Sequence, residues 1–156
     1  MAKAAREELP FTEDDLGPIE AVLAELTAAG AGWVNLSPEV EAGHEPPPRN
    51  VAIALFSARG DAVPLVTWTP PEEPGKRSTV GIEHGSGPKA LQRLAEHDLP
   101  LGERWFKVAD HPRRGLVVTA PGDADPGDVL WWLLTAAHLL SPVPLTGDWS
   151  ATVFRP

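Results

Sequence analysis

Apolar side chains fall first at helical spacing. Ile19, Val22, Leu23 and Leu26 form one stripe, and Gly30 follows as a C-terminal cap. Upstream, Thr12 is placed to cap, Glu13, Asp14 and Asp15 fill the positive end of a helix, and Phe11 is positioned to staple onto Leu16. Proline is tolerated in a first turn but not in an interior, so Gly17-Pro18 limits where the regular part begins. The pattern predicts a helix over about residues 15–29.

From Gly32 to Glu83 the period changes to two. Trp33-Val34-Asn35-Leu36, Val51 to Ser57, Val63 to Thr69 and Ser78 to Glu83 read as short strands, with Val51 to Ser57 and Val63 to Thr69 flanking a turn at Ala58-Arg59-Gly60-Asp61-Ala62. Pro46-Pro47-Pro48 and Pro70-Pro71 mark the long loops. Pro64 cannot donate to a ladder, so its strand either lies at an edge or starts unpaired.

The second half alternates helix and strand. Ser86 or Gly87 is placed to cap a short helix over residues 88–97 that turns Leu91 and Leu94 inward. Arg104 to Ala109 and Gly115 to Ala120 form a hairpin whose tip carries Arg113 and Arg114. Asp125-Pro126-Gly127-Asp128 opens a helix over residues 126–140 in which Val129 to Leu140 has only Thr135 and His138 as polar members. Ser141-Pro142-Val143-Pro144 stops it, and Trp149 to Phe154 offers a closing strand. The expected architecture is a single α+β domain: an antiparallel twisted sheet with three helices packed on it, in the order α-β-β-β-β-α-β-β-α-β. Residues 1–11 are expected to be a flexible acidic N-terminal arm, and residues 12–156 the domain.

Composition narrows the function classes. The 156 residues carry 13 basic and 22 acidic side chains, for a net charge of −9, which disfavours nucleic acid and anionic membranes as partners. Residues 1–45 hold two basic and ten acidic side chains, so −8 of that charge lies there as a solvated acidic face. The absence of cysteine removes disulfides, thiol nucleophiles and thiolate metal sites. Neither a signal-like apolar segment nor a stretch of spanning length is present, so a cytoplasmic protein is expected. Eighteen prolines, more arginine than lysine, and only three isoleucines suit a bacterial, high-GC source.

No motif for catalysis stands out. The five histidines lack the i, i+4 pairing of a helical metal site, so neither a metal nor a cofactor is expected. Glu83-His84-Gly85-Ser86-Gly87-Pro88-Lys89 passes from strand to helix through glycines but matches neither phosphate-binding fingerprint, and Ser86 is not in a nucleophile elbow. Arg59-Gly60-Asp61 is read as turn chemistry rather than as an adhesion motif. Asp110 and His111 are adjacent in a strand end and point to opposite faces. Trp131 and Trp132 carry the most information: about 100° apart on a helix, they cannot both enter one core. Covering of both by the protein's own sheet and first helix, and a partner or dimer contact, are both open readings.

The element order over about residues 15–140, setting aside the two additional strands, resembles the α-β-β-β-α-β-β-α order of type III secretion chaperones and the YbjN-like domains that share their fold. The resemblance rests on no sequence motif and transfers no functional residue. It implies a small, acidic, cytoplasmic and commonly dimeric protein that binds extended peptide segments. The expected function is therefore a non-enzymatic, chaperone-like protein- or peptide-binding module, with Trp131, Trp132, Leu134 and His138 as partner or dimer contacts. The expected partners are a polypeptide and a second copy of this chain, the latter burying part of helix 126–140. The alternative is a small-molecule enzyme with a site assembled from dispersed residues, for which His84, Asp110 and His111 are the candidates.

Overall fold

A computed structural model describes residues 5–47 and 60–156. Seven strands, β1 (Ala5–Thr12), β2 (Trp33–Val40), β3 (Leu65–Thr69), β4 (Arg77–Glu83), β5 (Phe106–His111), β6 (Gly115–Pro121) and β7 (Leu145–Arg155), form one open antiparallel sheet in the order β1-β7-β2-β3-β4-β6-β5. Among the described residues three helices, α1 (Gly17–Ala29), α2 (Ala90–Glu96) and α3 (Pro126–Leu140), complete the single α+β domain. No helix among the described residues is long and apolar enough to cross a membrane.

Register explains why one sheet face is the core. Val34 stands opposite Trp68 and Val153, and Val80 stands opposite Trp68 and Val118, so the period-two apolar positions of adjacent strands meet on one face. The buried stripe of α1, Ile19, Val22, Leu23 and Leu26, joins that face in a single cluster with the inner residues of α2 and α3. Helix α3 lies between α1 and α2 and against β3 and β4. That position supplies the cover its apolar sequence requires. Eight of its 15 residues are buried by this chain alone, so a second copy is not needed to shield it.

Local signals place the helix ends with different success. Gly30 closes α1 as expected, at φ 68°, with its N–H donating to the Leu26 carbonyl at 2.8 Å. A Cβ there would also stand 2.9 Å from the Glu72 carbonyl oxygen, so only glycine fits. Asp125 caps α3 by accepting from the Asp128 N–H at 3.2 Å, with Pro126 in the first turn. At α1, however, Thr12 belongs to β1 rather than to a cap, and Leu16 precedes the first helical residue. Helix α2 begins at Ala90 instead of residue 88, and neither Ser86 nor Gly87 caps it. Its first N–H groups, from Ala90 and Leu91, donate instead to the two carboxylate oxygens of Asp110 at 3.2 and 3.0 Å.

The sheet also departs from the strand pattern. Residues 5–11 fall in the segment read as a flexible arm, yet Ala5–Thr12 pairs residue for residue with β7, from Ala5 opposite Arg155 to Thr12 opposite Asp148. Most of its side chains are exposed and only Phe11 is buried, so no apolar alternation marks it in the sequence. Its backbone hydrogen bonds to β7 hold it there. Arg155 of β7 reinforces the corner, with Nη1 2.5 Å from Glu7 and Nε 2.6 Å from Glu25 on α1. β7 is longer than expected and lies inside the sheet between β1 and β2, although it is last in sequence. The strand expected at 51–57 lies outside the described residues, and β3 pairs with β2 and β4.

Candidate binding cleft at a tryptophan corner

The six tryptophans sort into three environments. Trp68 and Trp149 are core residues. Trp33 alternates out of the core onto the opposite sheet face, where it stacks on Phe154 with ring centroids 4.6 Å apart. Trp105, Trp131 and Trp132 share one corner, where the start of α3 meets the connection from α2 to β5.

Helical geometry splits the adjacent pair. Trp132 turns inward and is 4% exposed, whereas Trp131 turns outward and is 59% exposed. The Trp132 indole N–H donates to the Pro100 carbonyl oxygen at 3.0 Å, and its ring packs on Trp105 at 5.2 Å and 47°. The connection from α2 is itself tightly wound. Leu99 is buried and its N–H donates to the Leu94 carbonyl at 2.9 Å, while Asp98 and Arg104 adopt left-handed φ values of 62° and 63°. Gly102 admits the Trp105 ring, which lies 2.9 Å from where a Cβ would stand. These contacts frame a cleft of about 520 Å³, within the range of small-ligand and side-chain sites. Trp105, Trp131 and Trp132 supply its apolar walls; Asp98, Glu103 and Asp128 supply its charged lining.

The expected contact residues separate accordingly. Trp131 is available to a partner. Trp132 and Leu134 are 4% exposed each and are covered by this chain. His138 is half-buried at the other end of α3, where its Nε2 bonds the Glu13 carboxylate, which also accepts the Trp149 indole N–H at 2.9 Å. It ties α3 to the end of β1 and β7. Leu139 is the other exposed large apolar residue of α3, at 40%.

The residues considered for an enzyme are engaged in local structure. Asp110 spends both oxygens on the start of α2. His111 accepts the N–H groups of Arg113 and Arg114 through Nδ1, at 3.1 Å each, and so closes the β5–β6 turn. His84 is fully buried. Its Nδ1 accepts the Ser86 N–H at 3.2 Å and lies 2.8 Å from the Ser86 hydroxyl, which in turn accepts from Arg93 at 3.0 Å. With Nδ1 an acceptor, the imidazole proton resides on Nε2, which has no hydrogen-bond partner among the described residues. Burial, and secondarily the Arg93 charge, hold the His84 pKa below its ordinary value, against the opposing pull of Asp110. The Ser86–His84 contact spans two residues of one turn, and Arg93 occupies the hydroxyl. This is the geometry of a turn rather than of an activated nucleophile.

Sequence reading did not single out Trp105, Asp98 or Glu103. A tryptophan three residues after a glycine between two elements is the signal that was present. Its partner across the cleft lies 27 residues away, beyond the reach of periodicity. No protein-family model matches the chain, and neither does any curated protein or solved structure.

Proposed function

We propose that this protein is a non-enzymatic polypeptide-binding module, chaperone-like in the sense of holding a segment of a partner, and that it acts in the cytoplasm. The single observation that carries this reading is Trp131. A tryptophan 59% exposed on a helix that is otherwise largely core, above a preformed aromatic cleft, matches the composition of contact hot spots rather than that of ordinary surface. A second copy of the chain is the alternative occupant, through Trp131 and Leu139.

An array of immobilised twelve-residue peptides of varied composition, probed with wild-type protein and with Trp131→Ala, tests the proposal. Wild type is expected to retain a defined subset that the variant loses. Identical retention by both proteins, or none by either, would overturn it. A metabolite-induced rise in melting temperature together with a silent array would favour the enzyme alternative.

A further inference from the structure

We infer that the cleft receives a positively charged side chain, lysine or arginine, from a basic segment of the polypeptide partner; this rests on the polypeptide-binding reading and adds the chemistry of the bound residue. The walls and the lining point to the same ligand. Indole faces carry negative electrostatic potential and attract a cation placed over them, more strongly for tryptophan than for any other aromatic side chain. Trp131, 59% exposed, offers its ring to such a cation beside the half-buried Trp105, which the buried Trp132 braces at 5.2 Å with the planes inclined by 47°. The aliphatic stem of lysine or arginine suits such walls, because it buries methylene groups while the charged end reaches polar groups.

The carboxylates complete the match. Asp98, Glu103 and Asp128 line the cleft, and among the described residues none of the three side chains has an ion-pair or hydrogen-bond partner. Several carboxylates elsewhere in the fold are committed, among them Glu7 and Glu25 to Arg155, Glu8 to Arg6, Glu13 to His138, and Asp110 to α2. Arg104 adjoins Glu103 in sequence but pairs with Asp123 at 3.9 Å, beside a separate cavity that it shares with Arg77. The positive end of α3 lies on this side, and Asp125 with Asp128 offsets it. The cleft therefore presents net negative charge beside an exposed aromatic wall. An acidic segment would be repelled, whereas a basic one gains attraction from the three carboxylates.

Fluorescence anisotropy with four labelled, capped heptapeptides tests this. All share a glycine–serine background, and the two variable positions carry arginine, lysine, citrulline or glutamate. Arginine and lysine peptides are expected to bind at least about tenfold more tightly than the citrulline and glutamate peptides. Their binding should weaken severalfold as salt is raised from about 0.05 to about 0.5 M. Trp131→Ala, and separately the combined Asp98→Asn, Glu103→Gln, Asp128→Asn variant, should abolish the preference. All four positions are exposed, and far-ultraviolet circular dichroism verifies that the variants fold. Citrulline binding as tightly as arginine, with loss in Trp131→Ala, would overturn the cation assignment while leaving polypeptide binding intact. Silence of all four peptides would overturn it too, and if the composition array is also silent the broader reading falls with it. Self-association that Trp131→Ala abolishes, without peptide binding, would make a second copy the occupant and also overturn the proposal.

Discussion

The indole N–H of Trp132 donates to the Pro100 carbonyl oxygen at 3.0 Å across 32 residues of sequence. This one bond pins the connection leaving α2 to the start of α3, and with the Trp105–Trp132 ring contact it holds the cleft open as a preformed shape. A preformed site loses less conformational entropy on binding than one that must be ordered by its ligand.

The adjacent tryptophans should therefore behave oppositely on substitution. Trp132→Ala is expected to cost about 3–5 kcal/mol of stability, and Trp132→Phe, which keeps a ring but leaves the Pro100 carbonyl without its donor, about 1–3 kcal/mol. Trp131→Ala should stay within about 0.5 kcal/mol of wild type. Urea unfolding followed by circular dichroism measures all three, and a large loss in Trp131→Ala would show that its ring is part of the fold.

The first strand makes a separate prediction for hydrogen exchange. Paired with β7 over its length, Ala5–Thr12 should show alternate amides exchanging at least ~10-fold more slowly than a free chain. Uniformly fast exchange over residues 5–11 would mean that this segment is an arm in solution.

Asp110 is expected to matter for stability and not for binding. As the acceptor for two N–H groups at the start of α2, it should cost about 0.5–2 kcal/mol when changed to alanine. Peptide affinity at the tryptophan corner should be unchanged in Asp110→Ala. A loss of affinity without a loss of stability would place Asp110 at the site instead.

His84 gives the fold a pH dependence of known sign. Its folded-state pKa lies below the ordinary value of 6.5, so in mildly acidic solution the unfolded chain takes up a proton that the buried imidazole resists. Its contribution is thus fully present above about pH 6.5 and is lost as pH falls below that value toward the folded-state pKa. The slope is at most about 1.4 kcal/mol per pH unit for one proton. His84→Asn keeps an acceptor for the Ser86 N–H and does not titrate, so its stability curve should be flatter between pH 6.5 and the folded-state pKa. An equal slope in both proteins would assign the acid sensitivity to other groups.

Much of the fold was written locally. Ile19, Val22, Leu23 and Leu26 share one face because a helix repeats every ~3.6 residues, and Gly30 and Asp125 end and begin helices through bonds that close within four residues. Val80 and Ile82 alternate inward because a strand repeats every two. The fold class, the antiparallel pairing and the three helices follow from such short-range signals. So does the divergence of Trp131 from Trp132, because any helix would turn them apart.

Only tertiary structure decided which of the two faces solvent, since that depends on α1, α2 and the sheet covering α3 from its other sides. It alone recruited Ala5–Thr12 to the edge of β7, where backbone hydrogen bonds rather than apolar side chains hold the strand. It also supplied the α2 cap from Asp110, 20 residues downstream, in place of the nearby Ser86, whose hydroxyl is engaged by His84 and Arg93. The cleft belongs to the same class. Asp98, Glu103 and Trp105 meet Asp128, Trp131 and Trp132 only after two separate segments have packed, and no periodicity along the chain encodes contacts between segments that far apart.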